Sequence, residues 1–222
     1  MFDRISKLLN FGYSPDLILD IGAFVGNWSN DMWLLYPEKN YMLFEPIDYP
    51  ELHKLKDPHV FVHNIVLNDE CKEVDWYQQK NTGDSMFREK THYFENCEVL
   101  KKQSITLDHF FETHEAERKV LEQSKNIFVK IDCQGAEIPI LKGAAKSILH
   151  KTDFIILEIP FFGQYNKGVA SFLEHIKFMD EIGFVPFDLL ERHYCNEIAI
   201  QVDIMFIRKT HELYANVDKI IY

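Results

Sequence analysis

Five short apolar runs, Leu17-Ile-Leu-Asp20, Tyr41-Met-Leu-Phe44, Val60-Phe-Val62, Ile127-Phe-Val-Lys-Ile131 and Phe154-Ile-Ile-Leu157, are too short for helices and rich in β-branched and aromatic side chains. They predict five successive strands. Between them apolar residues recur at i, i+3/i+4 and i+7: Trp28, Met32 and Leu35, ended by Pro37; Ile138, Leu141, Ala145 and Ile148; then Val169, Phe172, Leu173 and Ile176, ended by Gly183. That spacing predicts amphipathic helices, and the alternation of runs and helices predicts a mostly parallel sheet covered on both faces. The last part of the chain breaks the rhythm. Phe184-Val-Pro-Phe187 and Ile198 to Ile207 are separated only by polar Asp188 to Glu197, too short a connector for a crossover, which predicts an antiparallel hairpin.

A second irregularity follows the third strand. Glu73 to Gln78 alternates like an edge strand, and Lys80-Asn-Thr-Gly-Asp-Ser85 reads as an exposed loop. Near the start, Phe2, Ile5, Leu8 and Leu9 share one helical face that is expected to dock on the chain's own body. Charges interrupt this segment where a signal peptide needs an unbroken apolar stretch, and no run approaches the roughly 18 apolar residues of a membrane span. A cytoplasmic protein without a membrane span is expected.

Composition narrows the function. With 222 residues and no linker-like stretch, a single domain over 1–222 is expected. The 24 basic and 35 acidic residues give a net charge of −11, which opposes binding to nucleic acid because that affinity comes mostly from cations neutralising phosphates. The four cysteines lie far apart without a C-x-x-C pair, so neither a zinc knuckle nor a redox dithiol is indicated. Oligomeric state is not legible.

The chemistry gathers at predicted strand ends. Asp20-Ile-Gly-Ala-Phe-Val-Gly26 places a carboxylate at the end of the first strand, then glycines and a helix. Glycine allows a tight turn and close approach of a ligand, but the G-x-G-x-x-G dinucleotide fingerprint is absent. A carboxylate at the start of the loop repels phosphate and suits an ammonium group, which points towards the methionine part of S-adenosylmethionine. Glu45, at the tip of the second strand and 25 residues after Asp20, is placed to accept hydrogen bonds from both ribose hydroxyls of an adenosine. Ile47 is then expected over the adenine face and Asn64 on its edge. Asp132 and Glu158 end two further strands and are expected to be neighbours, acting as a general base and its orienter or as part of a Mg²⁺ site. Among ten scattered histidines, His63 is an alternative base. Asp84 and Ser85 in the exposed loop, Gln134 and His193 are candidates to line an acceptor pocket, and Phe161 with Phe162 suits stacking against sugar faces.

These residues carry a resemblance. The glycine loop from Tyr13 to Gly26, Phe44-Glu-Pro46, Ile65-Val-Leu-Asn-Asp69, Ile105-Thr-Leu-Asp108, Val129-Lys-Ile-Asp-Cys-Gln-Gly-Ala-Glu137 with Leu141-Lys-Gly-Ala144, and Val202-Asp-Ile-Met-Phe206 resemble the FkbM-type S-adenosylmethionine-dependent methyltransferases nearly end to end. The run from Lys130 to Glu137 followed by Leu141 to Ala144 is the most specific part. The resemblance implies a Rossmann-like α/β fold with a seven-stranded, mostly parallel sheet whose last strand is antiparallel. It also implies that Asp20, Gly22, Ala23, Phe24 and Gly26 hold the methionine end of the cofactor, that Glu45 holds the ribose, and that Asp132 faces the methyl group. Residues 72–104 become an insertion carrying the edge strand and a loop over the acceptor. The family typically methylates hydroxyls of sugars, glycans or other natural products. Phe24 stands where Asn is common, and Cys133 replaces Thr or Val. Two rival readings are a NAD-dependent oxidoreductase, opposed by the missing glycine and by Asp20, and a non-catalytic accessory protein, opposed by the cost of keeping four strand-end carboxylates together.

Overall fold

A computed structural model of the chain describes residues 1–54 and 57–218. Its elements are α1 (Phe2–Ile5), β1 (Leu17–Ile21), α2 (Asn27–Leu35), β2 (Asn40–Phe44), β3 (Val60–His63), β4 (Val66–Leu67), β5 (Glu73–Gln78), β6 (Glu98–Ile105), α3 (Leu107–Thr113), α4 (Glu115–Gln123), β7 (Ile127–Ile131), α5 (Glu137–Lys142), β8 (Thr152–Pro160), α6 (Phe172–Glu181), β9 (Phe184–Cys195), β10 (Ile198–Arg208) and α7 (Glu212–Ala215). Seven strands form one sheet in the order β3-β2-β1-β7-β8-β10-β9. β3, β2, β1, β7 and β8 pair in parallel, while β10 runs antiparallel to both β8 and β9. All five predicted strands are present in this sheet, and β1 and β7 are buried along their whole length, as strands covered on two faces must be.

Successive side chains of a strand point to opposite faces, so one strand feeds two cores. Leu17, Leu19 and Ile21 of β1 join Val129, Ile131, Ile155 and Phe110 on one side, whereas Ile18 joins Phe128, Ile156, Met32 and Trp28 on the other. Ile5 and Leu8 dock into the second core as expected, but Leu9 is exposed. No helix among the described residues is long and apolar enough to cross a membrane.

Four local expectations are corrected. The helix foreseen across Ile138 to Ile148 stops at Lys142. There the carbonyl of Gly143 accepts the Asp108 amide, and the Asp108 carboxylate accepts the N–H groups of Lys146 and Ser147, so the backbone is bound elsewhere. Val169 and Leu173 are not part of a buried helical stripe. Ser171 starts α6 with a reciprocal cap through Glu174, leaving Val169 before the helix and Leu173 exposed on it. The polar stretch from Asp188 to Cys195 is strand rather than connector, and the hairpin turns on Asn196 and Glu197 alone, with φ of 48° and 67°. Glu73 to Gln78 is an edge strand, but of a separate three-stranded sheet in the order β4-β6-β5.

Candidate active site

The carboxyl ends of β2, β1, β7 and β8, together with the paired ends of β9 and β10, open into one cavity of about 590 Å³. That volume is ordinary for a pocket that encloses a small ligand. Its floor carries Gly22, Glu45, Asp132, Gln134, Glu158 and Gln201, and the segment from Asn81 to Phe94 lies over it with Trp76.

Glu45 follows β2 and is almost completely buried. Its Oε2 accepts the N–H of Phe24 at 2.9 Å and its Oε1 that of Ile47 at 2.9 Å, so the carboxylate ties the β1–α2 turn to the loop after β2. Burial pushes its pKa up to about 7 against these two hydrogen bonds. Each oxygen keeps a further lone pair. Phe24 sits at φ 49°, and its ring meets Tyr49 edge-on at 5.0 Å. Gly22, at φ 83°, packs so tightly against β7 that a Cβ would overlap the carbonyl oxygen of Asp132. Glycine is therefore required there by the fold itself.

Asp132 lies immediately beyond β7. Its Oδ2 accepts from Lys130 Nζ at 3.1 Å and its Oδ1 from Gln134 Nε2 at 3.3 Å. The neighbouring ammonium holds Asp132 below the usual carboxylate range despite its burial. Glu158 accepts from Gln134 Nε2 at 2.6 Å and Gln201 Nε2 at 2.9 Å. Burial first, then the charges of Asp132 and Asp203, push Glu158 well above that range. The two carboxyls are neighbours through Gln134, and their surroundings shift them in opposite directions. An environment that drives two neighbouring carboxyls apart assigns them different roles. His193 Nε2 lies 2.8 Å from Asp203 Oδ2 and 3.7 Å from Glu158 Oε1, and the Asp203 hydrogen bond raises its pKa.

Several expected residues lie elsewhere. Asp20 is wholly buried beneath the turn: its Oδ2 accepts from Ser29 Oγ at 2.6 Å and its Oδ1 lies 3.9 Å from Lys130 Nζ, so it balances that lysine and does not line the cavity. Ala23, Gly26 and Ile47 are not in the lining either; Pro46, Ile65, Val66 and Leu67 are. Both hydrogen bonds of the Asn64 amide go to the carbonyls of Glu45 and Ile47, so Asn64 braces that loop. His63 packs between Phe44 and Phe110 with Nε2 3.2 Å from Glu117, away from the cavity. Ser85 is buried rather than in an exposed loop, its hydroxyl donating towards the carbonyls of Cys133 and Gln134, and Asp84 lines the cavity while accepting the N–H groups of Gln79 and Lys80. Asp132 and Glu158 both accept from the Gln134 amide, which sets the two carboxyl groups side by side as expected. Phe161 and Phe162 are exposed outside the lining.

Two features carry no early signal. Tyr165 comes from the segment after β8 and donates its hydroxyl to Gln134 Oε1 at 2.8 Å. Glu137 is fully buried, and its Oε1 accepts the N–H groups of Cys133 and Gly135 at 3.1 Å each. It clamps the turn that holds Gln134 at φ 53°. The position of Glu137 in the motif gave its presence but not this task.

The family model described as the methyltransferase FkbM domain matches residues 20–186. The chain belongs to the FkbM methyltransferase family. Solved structures agree on the fold. The 1,6-didemethyltoxoflavin-N1-methyltransferase of Burkholderia thailandensis, determined with 1,6-didemethyltoxoflavin and S-adenosylhomocysteine, superposes with a TM-score of 0.51 at 12% identity, over 95% of this chain and 78% of that one. An FkbM methyltransferase from Methylobacillus flagellatus KT gives 0.50 at 14% identity, over 86% of this chain and 43% of its own. At these identities the likeness establishes the architecture, that of the class I methyltransferases. No curated protein matches the chain. Within the family's sheet, the carboxylates described above occupy consecutive strand ends.

Proposed function

We propose that the chain is an S-adenosylmethionine-dependent methyltransferase acting on a hydroxyl of a sugar, glycan or other small molecule. The observation that carries this reading is a single cavity with a near-buried carboxylate, Glu45, over β2 and two carboxyls, Asp132 and Glu158, joined through the Gln134 amide over β7 and β8. Family membership and the S-adenosylhomocysteine bound by the Burkholderia enzyme support the cofactor. The residues fit it: Glu45 has lone pairs free for two ribose hydroxyls, and Gly22 leaves the floor beside it without a side chain. When bound, the cofactor supplies an electrophilic methyl on a sulfonium. Asp132 orients the acceptor hydroxyl and takes its proton as the new C–O bond forms, while Lys130 keeps Asp132 ionised. Glu158 and Gln134 hold Asp132 in place, and positioning of this kind with a general base supplies about 10²–10⁴-fold from the base alone.

Calorimetric titration of the full chain tests the reading. S-adenosylhomocysteine is expected to bind with micromolar affinity and NAD not to displace it. Glu45→Ala is expected to weaken binding by at least tenfold, and Asp132→Ala by no more than a few-fold, because Asp132 serves the acceptor. No binding in the unaltered chain rejects the methyltransferase reading in favour of an accessory protein, and equal loss in the two variants rejects the division of roles.

A further inference from the structure

We propose that Glu158, His193 and Asp203 form a divalent-cation site in the wall of the cavity, suited to a transition ion such as Mn²⁺ or Zn²⁺ more than to Mg²⁺. One ligating atom from each residue lies within 4.8 Å of the others. Three adjacent strands deliver them: Asp203 of β10 faces Glu158 of β8 in register, and His193 of β9 faces Gln201 of β10. Sites built on strands hold ligand geometry better than sites on loops. Glu158 and Asp203 are 9% and 3% exposed, so two desolvated carboxylates converge on one imidazole.

The second observation lies outside the triad. Glu158 Oε2 is held by two side-chain amides, those of Gln134 and Gln201, and Gln134 is held in turn by the Tyr165 hydroxyl. The carboxylate is thereby turned so that its other oxygen, Oε1, faces His193 Nε2 and receives no amide or hydroxyl donor among the described residues. The free oxygen of a nine-tenths buried carboxyl group, aimed by outer hydrogen bonds at an imidazole and a second carboxylate, is the arrangement in which outer partners orient metal ligands. Asp132 lies outside the triad, its oxygens accepting from the Lys130 ammonium and the Gln134 amide.

The ligand set decides the class of ion. Imidazole with carboxylates favours Mn²⁺, Zn²⁺ or Fe²⁺, whereas Mg²⁺ prefers oxygen ligands and keeps its water. Glu158 and His193 both line the cavity, so an ion there leaves positions open towards the acceptor. On the methyl-transfer reading, an acceptor hydroxyl bound to the ion lies beside Asp132 and loses its proton more readily. Binding of the ion does not depend on that reading.

The test is metal titration of chelator-treated full chain saturated with S-adenosylhomocysteine, by calorimetry and by the electron paramagnetic resonance of Mn²⁺. One Mn²⁺ per chain is expected, with Mg²⁺ at least tenfold weaker. Asp203→Asn and His193→Gln are each expected to weaken Mn²⁺ at least tenfold, while Asp75→Asn, at an exposed ion pair on β5, leaves it unchanged. His193→Gln, at the more exposed ligand, keeps the test decisive where Asp203→Asn fails to fold. Absence of one-to-one binding by both Mn²⁺ and Zn²⁺, or binding unchanged in both ligand variants, overturns the site, and equal Mg²⁺ affinity overturns the ion class. If S-adenosylhomocysteine does not bind, the cofactor reading falls and the same titration on the free chain still decides this one.

Discussion

Lys130 is nine-tenths buried, yet its ammonium is placed between two carboxylates, 3.1 Å from Asp132 and 3.9 Å from Asp20. Removing one member of such a buried set strands the others, at a cost of about 3–5 kcal/mol. Lys130→Met is therefore expected to destabilise the chain by about that amount at pH 8 in urea denaturation. The loss should shrink at pH 5, since burial already raises the pKa of Asp20 and a proton can replace the lost cation. A loss below about 1 kcal/mol at pH 8 would show that the charges are not interdependent. Glu45 makes the complementary prediction for binding. Its pKa of about 7 means that the ionised form, which accepts from two hydroxyls at once, is depleted as the pH falls below 7. Affinity for S-adenosylhomocysteine should drop by up to about tenfold per pH unit there, and calorimetry between pH 5.5 and 8.5 showing no trend would refute the assignment.

The elements differ in how openly the sequence shows them. Strands buried on both faces, such as β1 and β7, read as unbroken apolar runs, and no local alternative competes with them. β9 was half hidden because its outer half, from Asp188 to Cys195, alternates weakly and is held by pairing with β10 rather than by an apolar face. Its turn leaves a testable trace. Asn196 and Glu197 both have positive φ, as a two-residue hairpin of the primed kind requires, and Glu is poorly suited to that region. Glu197→Gly should stabilise the chain by about 0.5–1 kcal/mol and raise its melting temperature by a few degrees. An unchanged or lower melting temperature would mean that the side chain of Glu197 contributes something its exposure does not show. The helix predicted across Ile138 to Ile148 fails for a different reason: Leu141 and Ile148 are buried, but Ala145 is exposed and Asp108 binds the backbone that the helix needed.

At the scale of the whole molecule, the sheet order and the row of strand-end carboxylates were legible because each sits beside an apolar run that fixes its strand. The cavity's remaining walls were not. Trp76, Phe94, Tyr165 and Gln201 come from segments brought together only by the tertiary fold, and the burial of Asp20 beside Lys130 was hidden because a strand-end carboxylate looks the same in sequence whether it faces a cavity or a buried lysine. That concentration of acid has a consequence for the free chain. Burial raises the pKa of Asp20, Glu45, Glu158 and Asp203, so between the unfolded carboxyl range and about 7 the folded state binds more protons than the unfolded one. Stability then falls as the pH rises through that window. His193, raised by Asp203, acts in the same direction, whereas the lowered pKa values of His63 and His211 oppose it, and that of Asp132 acts only below the ordinary carboxylate range. The net charge of −11 adds self-repulsion as the remaining protons leave. The melting temperature of the free chain is therefore expected to decrease from pH 5.5 to pH 8, and Lys130→Met to steepen the decrease by removing the cation that limits it. A melting temperature that rises over this interval would place the buried carboxylates in a better compensated setting than their distances describe.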